Sequence, residues 1–159
     1  MPEPTPVSQA LTKMGVAHRE FRHPGPLRSL KQAAVERGQQ PEQIVRSLLF
    51  RVSDGEHVMI LVAGPEQLSW KRLRRYMGTS RLTMASPEEV FQVTGYPLGA
   101  VAPFGLPQPV KIVVDESVRT QSEISLGSGV RDTGIIMQVA DLLTALGEDI
   151  QFGNFKENS

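Results

Sequence analysis

The sequence predicts an α+β fold, a mixed β-sheet surrounded by short helices. Three observations predict it: two adjacent apolar runs shaped as a hairpin, short segments with helix caps between them and the termini, and no repeating βαβ rhythm. At 159 residues, with no internal repeat or composition boundary, the chain is expected to form one domain, 1–159.

The hairpin is formed by Ile44 to Val52 and His57 to Ala63, rich in Val, Ile, Leu and Phe, around the turn sequence Ser53-Asp54-Gly55-Glu56. Helical spacing of Val7, Ala10, Leu11 and Met14 predicts a first helix over Thr5 to Met14, stopped by Gly15. Ala17 to Phe21 reads as a short strand that ends at His23-Pro24-Gly25-Pro26. Ser29 caps a second helix over Leu30 to Arg37, closed by Gly38. Ser69 caps a third over Trp70 to Met77, with Gly78 at its end. Ser86-Pro87-Glu88-Glu89 supplies a cap, a first-turn proline and acidic residues for a fourth that stops at Gly95.

Gly95 to Pro109 holds three glycines and four prolines in fifteen residues, too many for a helix or central strand. It is a shaped loop, either a wide structural turn or a backbone built to approach a ligand. Val110 to Val114, Glu123 to Leu126 and Gly134 to Gln138 follow as strands, Val139 to Leu146 as a last helix, and Lys156 to Ser159 as a frayed end.

Composition excludes several classes. Without cysteine there is no disulfide, thiolate metal site or thiol nucleophile. No apolar run reaches the ~18 residues of a membrane span, and Met1 to Pro6 lacks a signal peptide's basic and apolar regions, so a cytoplasmic location is expected. Seventeen basic residues balance seventeen acidic ones, so any contact with nucleic acid must be local. Gly127-Ser128-Gly129 is no dinucleotide fingerprint, because the third glycine would fall at Asp132, and Ser128 is not in a nucleophile elbow. His18, His23 and His57 lack zinc-site spacing.

On the third helix, Lys71, Arg72, Arg74 and Arg75 cover one arc and Trp70, Leu73, Tyr76 and Met77 the other. The apolar arc is expected to face the core. The cationic arc is either a solvated surface or a patch that contacts tRNA phosphates without reading bases.

Four segments in order resemble the YbaK/ProX family of aminoacyl-tRNA deacylases, which also occurs as the editing insertion of bacterial prolyl-tRNA synthetases. They are the His23-Pro24 loop, Gln43 to Phe50, the Thr94-Gly95-Tyr96 to Pro103-Phe104-Gly105 loop, and the Gly127 to Gly134 turn. The resemblance implies a mixed sheet, partly barrel-like, with a pocket between sheet and loops. It implies ester hydrolysis of a mischarged small amino acid, such as alanine, serine or threonine, from tRNA of the proline type. Water or a substrate hydroxyl would be activated in place, with no metal or organic cofactor.

By position, Arg46 falls where the family usually carries a lysine that contacts the substrate's 3′ end. Arginine keeps the charge but is planar and does not lose its proton. The resemblance puts the oxyanion donors at Gly99 and Ala100. It puts Ser47, Gly127 and Ser128 in the amino-acid pocket, Phe21, His23 and Leu30 in its wall, and Pro103, Phe104 and Gly105 in the substrate loop. Gly134 stands where cysteine-specific members carry an acidic residue, which disfavours cysteinyl-tRNA. The implied partners are the 3′ end and acceptor stem of an aminoacyl-tRNA, with a tRNA synthetase as a further candidate. The alternative is a non-catalytic aminoacyl-adenosine-binding module that lost hydrolysis with Arg46.

Overall fold

The computed structural model describes residues 3–52 and 55–157. In chain order the elements are α1 (Pro6–Lys13), β1 (Arg19–Arg22), α2 (Leu30–Arg37), a 3₁₀ turn (Pro41–Gln43), β2 (Val45–Val52), β3 (Glu56–Ala63), α3 (Trp70–Met77) and β4 (Leu82–Met84). They continue with α4 (Pro87–Thr94), β5 (Lys111–Asp115), α5 (Glu116–Arg119), β6 (Glu123–Gly127), β7 (Thr133–Gln138), α6 (Val139–Leu146) and β8 (Gln151–Gly153).

Local chemistry sets the helix ends. The side chains of Thr5, Ser29, Ser69 and Ser86 each accept an N–H of the first turn. Glu89 completes a capping box with Ser86. Gly38, Gly78 and Gly95 close α2, α3 and α4 at φ 70°, 67° and 80°, a region costly for residues with a Cβ.

The strands form two sheets. One has the order β4-β2-β3-β5-β8, antiparallel at β2/β3 and β2/β4 and parallel at β3/β5 and β5/β8. The other is the antiparallel β1-β7-β6. Among the described residues a single parallel bridge, Ile44 to Ser125, joins them. The expected partial barrel is thus corrected to two open sheets. Closing a barrel needs continuous pairing around the ring, and one bridge does not supply it.

The main core lies on one face of the larger sheet and includes Leu49, Met59, Leu61, Val101, Leu126 and Ile135. On the opposite face Phe50, Val58, Ile60 and Val113 pack with Leu73 of α3 and with Phe155. Alternation along β2 divides the two sets. Two expectations need correction here. Only Leu73 of the apolar arc of α3 is fully buried. Trp70 and Tyr76 are 39% and 36% exposed, and they meet Phe50 and Phe155 edge-on. The expected fraying fails at Lys156 and Glu157. The Phe155 N–H donates to the buried Asp115 carboxylate, Ser69 N–H to Phe155 O and Glu157 N–H to Gln67 O, and Lys156 pairs with Glu66. Ser53 and Asp54 of the predicted turn, and Asn158 and Ser159 of the predicted frayed end, lie outside the described residues.

Candidate functional site at the open edge of β2

β4 is only three residues long and pairs only with Phe50–Val52. Ala85 N–H takes the Leu49 carbonyl just beyond it. On that side, Val45 to Leu48 has no strand partner among the described residues, and this open edge forms one wall of a cavity of about 550 Å³. α2 forms a second wall, the Leu98 to Val101 stretch a third, and the turn between β6 and β7 a fourth. Leu30, Ala33, Val45, Leu98 and Leu126 make the lining mostly apolar, and Arg37, Arg46 and Arg131 bring positive charge to it. A mostly apolar cleft with a few converging polar groups is the usual character of a small-ligand site.

The close approach of the third and fourth walls depends on Gly127. A Cβ there would run into the backbone of Ala100 and Val101, which the core holds in place. The turn is braced from within. The Ser128 hydroxyl reaches Thr133 O at 2.9 Å, and Gly129 N–H donates to Ala100 O at 2.9 Å. Asp132, at φ 61°, accepts Leu27 N–H on its carboxylate and His23 N–H on its carbonyl, which ties the loop before α2 to the same turn.

Of the residues expected at the site, Leu30, Arg46, Ser47, Gly99 and Gly127 line the cavity. The Arg46 guanidinium donates to Gly64 O and Glu66 O, in the segment that runs from β3 to α3, and burial lowers its pKa against the opposing charge of Glu66. The Ser47 hydroxyl is buried and has no hydrogen-bond partner among the described residues. Such a group costs free energy until a water or ligand meets it.

None of the other expected residues is part of the lining. Ala100 is 1% exposed, and its N–H donates to Pro97 O at 3.0 Å. Phe104 and Pro103 are buried, and Tyr96 donates to Phe104 O beside Gly105. Ser128 braces its own turn. Phe21 packs its ring against His23, whose side chain is wholly buried. Lys71, Arg72, Arg74 and Arg75 lie on α3, against the opposite face of the larger sheet from the main core, and none of them lines the cavity.

Arg37, like Arg131, is a cavity-lining cation that sequence reasoning missed. As the last residue of α2 before Gly38 it reads as a cation that complements the helix C-terminus, and nothing in the local pattern says that it turns inward. Its Nε–H donates to His23 Nε2 at 3.0 Å and its Nη1–H to Ser125 Oγ at 2.8 Å. Arginine only donates, so His23 carries its proton on Nδ1 and gives it to Glu36 Oε1 at 2.7 Å. Burial pushes the Arg37 guanidinium down to about 10, against the raising effect of Glu36, so it remains a cation at neutral pH. The guanidinium lies where a Cβ of Gly134 would be, so Gly134 leaves the room that Arg37 occupies.

Among the described residues no group of three histidine or carboxylate side chains is placed to hold a metal ion, and no helix is long and apolar enough to cross a membrane.

A pocket between an open strand edge and a glycine-bearing loop, lined by apolar and cationic groups, has the character of a small-ligand site in an α+β domain. Comparison with known proteins narrows the class. Residues 24–145 match the model of the aminoacyl-tRNA editing domain. The chain is 35% identical over 109 residues to a proline–tRNA ligase of Thermosipho melanesiensis, which covers 69% of this chain and 19% of that protein. It is 40% identical over 87 residues to that of Kosmotoga olearia, covering 55% of this chain and 15% of the relative. The chain therefore spans less than a fifth of the length of these relatives. A solved structure described as a candidate trans-editing enzyme for prolyl tRNA synthetase superposes with a TM-score of 0.87 at 30% identity, covering 96% of this chain and 95% of that one. The protein belongs to the aminoacyl-tRNA editing domain family, as the resemblance to YbaK/ProX proteins implies.

Proposed function

We propose that this protein, acting in trans in the cytoplasm as one editing domain, hydrolyses the ester between a small amino acid and the 3′ end of a mischarged tRNA of the proline type. The observation that carries the reading is the cavity at the open edge of β2, where Arg46, Ser47 and Gly99 line one mostly apolar space. Such a space fits an aminoacyl group with the terminal ribose outside it. Ester cleavage builds negative charge on the former carbonyl oxygen, and fixed N–H donors lower that barrier. Ala100 N–H is already bound to Pro97 O, so the Gly99 N–H is assigned the oxyanion. Arg46, held by two main-chain carbonyls, supplies positive charge to the 3′ end from a fixed place. The attacking group is water or a substrate hydroxyl. α3 supplies the acceptor-stem contact through Lys71, Arg72, Arg74 and Arg75.

One observation favours a second reading. The two bonds from Arg46 to Gly64 O and Glu66 O occupy Nε and Nη2 in joining the cavity rim to the segment before α3, a structural duty. A protein that binds aminoacyl-adenosine without hydrolysing it follows if that duty is exclusive. Release of labelled amino acid from alanyl-, seryl-, threonyl- and cysteinyl-tRNA of the proline type separates the two readings. Release faster than the spontaneous rate supports the deacylase. Binding of a non-hydrolysable aminoacyl-adenosine without release supports the binding module, and neither result would remove both.

A further inference from the structure

Arg37 is a half-buried cation whose described hydrogen-bond partners, His23 and Ser125, are both neutral. Its nearest acidic neighbour in the network, Glu36, is reached only through the imidazole. The two described bonds use two of the five guanidinium donors. A buried charge keeps its cost low only when its donors find acceptors. Arg37 also lines the cavity, together with Ala33 of its own helix and Thr133 of β7. The Ser47 hydroxyl belongs to the same lining and has no partner.

The geometry points to Arg37 as a specificity-determining residue that accepts only an amino-acid side chain ending in a hydroxyl. A hydroxyl suits either group, because it accepts from a guanidinium and donates to a serine oxygen. With the Nε–H engaged by His23, the side-on Nε/Nη2 fork that binds a carboxylate in two places is closed. A methyl in the same space would leave the Arg37 donor and the Ser47 hydroxyl buried and unmet, and sites built for a hydroxyl reject such an analogue strongly. The inference rests on the cavity being the aminoacyl pocket.

The test compares near-isosteres on one tRNA body: seryl against 2-aminobutyryl, and threonyl against valyl. Wild type is expected to prefer each hydroxyl-bearing substrate by about tenfold or more in kcat/KM. Arg37→Met should bring that preference to within about twofold by slowing the hydroxyl substrates, a selective loss of transition-state binding. Ser47→Ala, which removes an unpartnered hydroxyl and so spares the fold, should lower the preference in the same direction. Equal loss on both members of a pair, or an unchanged ratio in both variants, would mean that Arg37 only braces α2 and would overturn the inference. The same ratio is read in parallel by calorimetry with non-hydrolysable seryl- and 2-aminobutyryl-amide analogues of aminoacyl-adenosine. A protein that selects the seryl analogue without turnover refutes the deacylase and sustains the role of Arg37, whereas binding of neither analogue refutes both.

Discussion

The arginines around the cavity and the basic residues of α3 carry the same charge into different surroundings. Arg37 is packed under His23 and Ser125, and Arg46 is held by Gly64 O and Glu66 O. Lys71 and Arg75 stand exposed on their helix, and Arg72 and Arg74 are half-buried. Packed charges have a fixed position and little screening, so they act on one atom of a ligand. Exposed charges act as a field over many phosphates and weaken with salt. Under the proposed function, selection and chemistry are assigned to the cavity, and attachment to α3.

The largest expected break in this comparison is Arg46→Ala. It should lower kcat/KM for a hydrolysed aminoacyl-tRNA by roughly 100-fold or more, and the loss should persist in high salt. Arg46→Lys should recover part of it, because charge returns without the planar fork. A loss that disappears with salt would move Arg46 to the side of α3. Next is Gly127→Ala, which forces a methyl into the Ala100–Val101 backbone. A destabilisation of ~1–3 kcal/mol is expected in denaturant titration, with a rise in KM as the walls part. An unchanged midpoint and KM would show that the third wall is not fixed.

The α3 side gives a smaller effect. Replacing Lys71, Arg74 and Arg75 together by alanine should weaken tRNA binding several-fold and reduce the slope of log affinity against log salt by roughly 2, leaving the ranking of amino acids unchanged. A change in ranking would mean that the two regions are coupled through the Gly64 to Ser69 segment. The smallest effect lies outside both regions. Burial raises the Glu20 carboxyl, but the Thr5 N–H and hydroxyl, each at 2.7 Å, and the nearby Arg22 and His18 outweigh it, so its folded pKa lies below the ordinary 4.5. The stability that this supplies is present above the unfolded pKa and lost as pH falls through the depressed folded value. Glu20→Gln should therefore destabilise slightly at pH 7 and converge with wild type in acid, as read by urea midpoints at several pH values.

Much of the fold was legible because its signals are local. Ser29, Ser69 and Ser86 sit one residue before their helices, and Gly38, Gly78 and Gly95 one residue after, so those limits follow from neighbouring residues alone. β2 and β3 declare themselves by their apolar runs. β4 and β8, at three residues each, have no pattern long enough to read, and they exist because β2 and β5 offer edges to pair with. Lys156 looked frayed because Asp115, which anchors the residue before it, lies forty positions earlier.

At the site, the resemblance brought Leu30, Arg46, Ser47, Gly99 and Gly127 to the cavity, and local geometry placed Ala100, Phe104 and Ser128 outside its lining. The caps, glycine stops and apolar alternation were determined by the sequence by itself, since their energies depend on residues within a turn or two. Only the tertiary structure decided that Arg37 leaves the end of its helix for the cavity. It goes there because Gly134, nearly a hundred residues away, offers no side chain in its path, and Ser125 and His23 are waiting as acceptors.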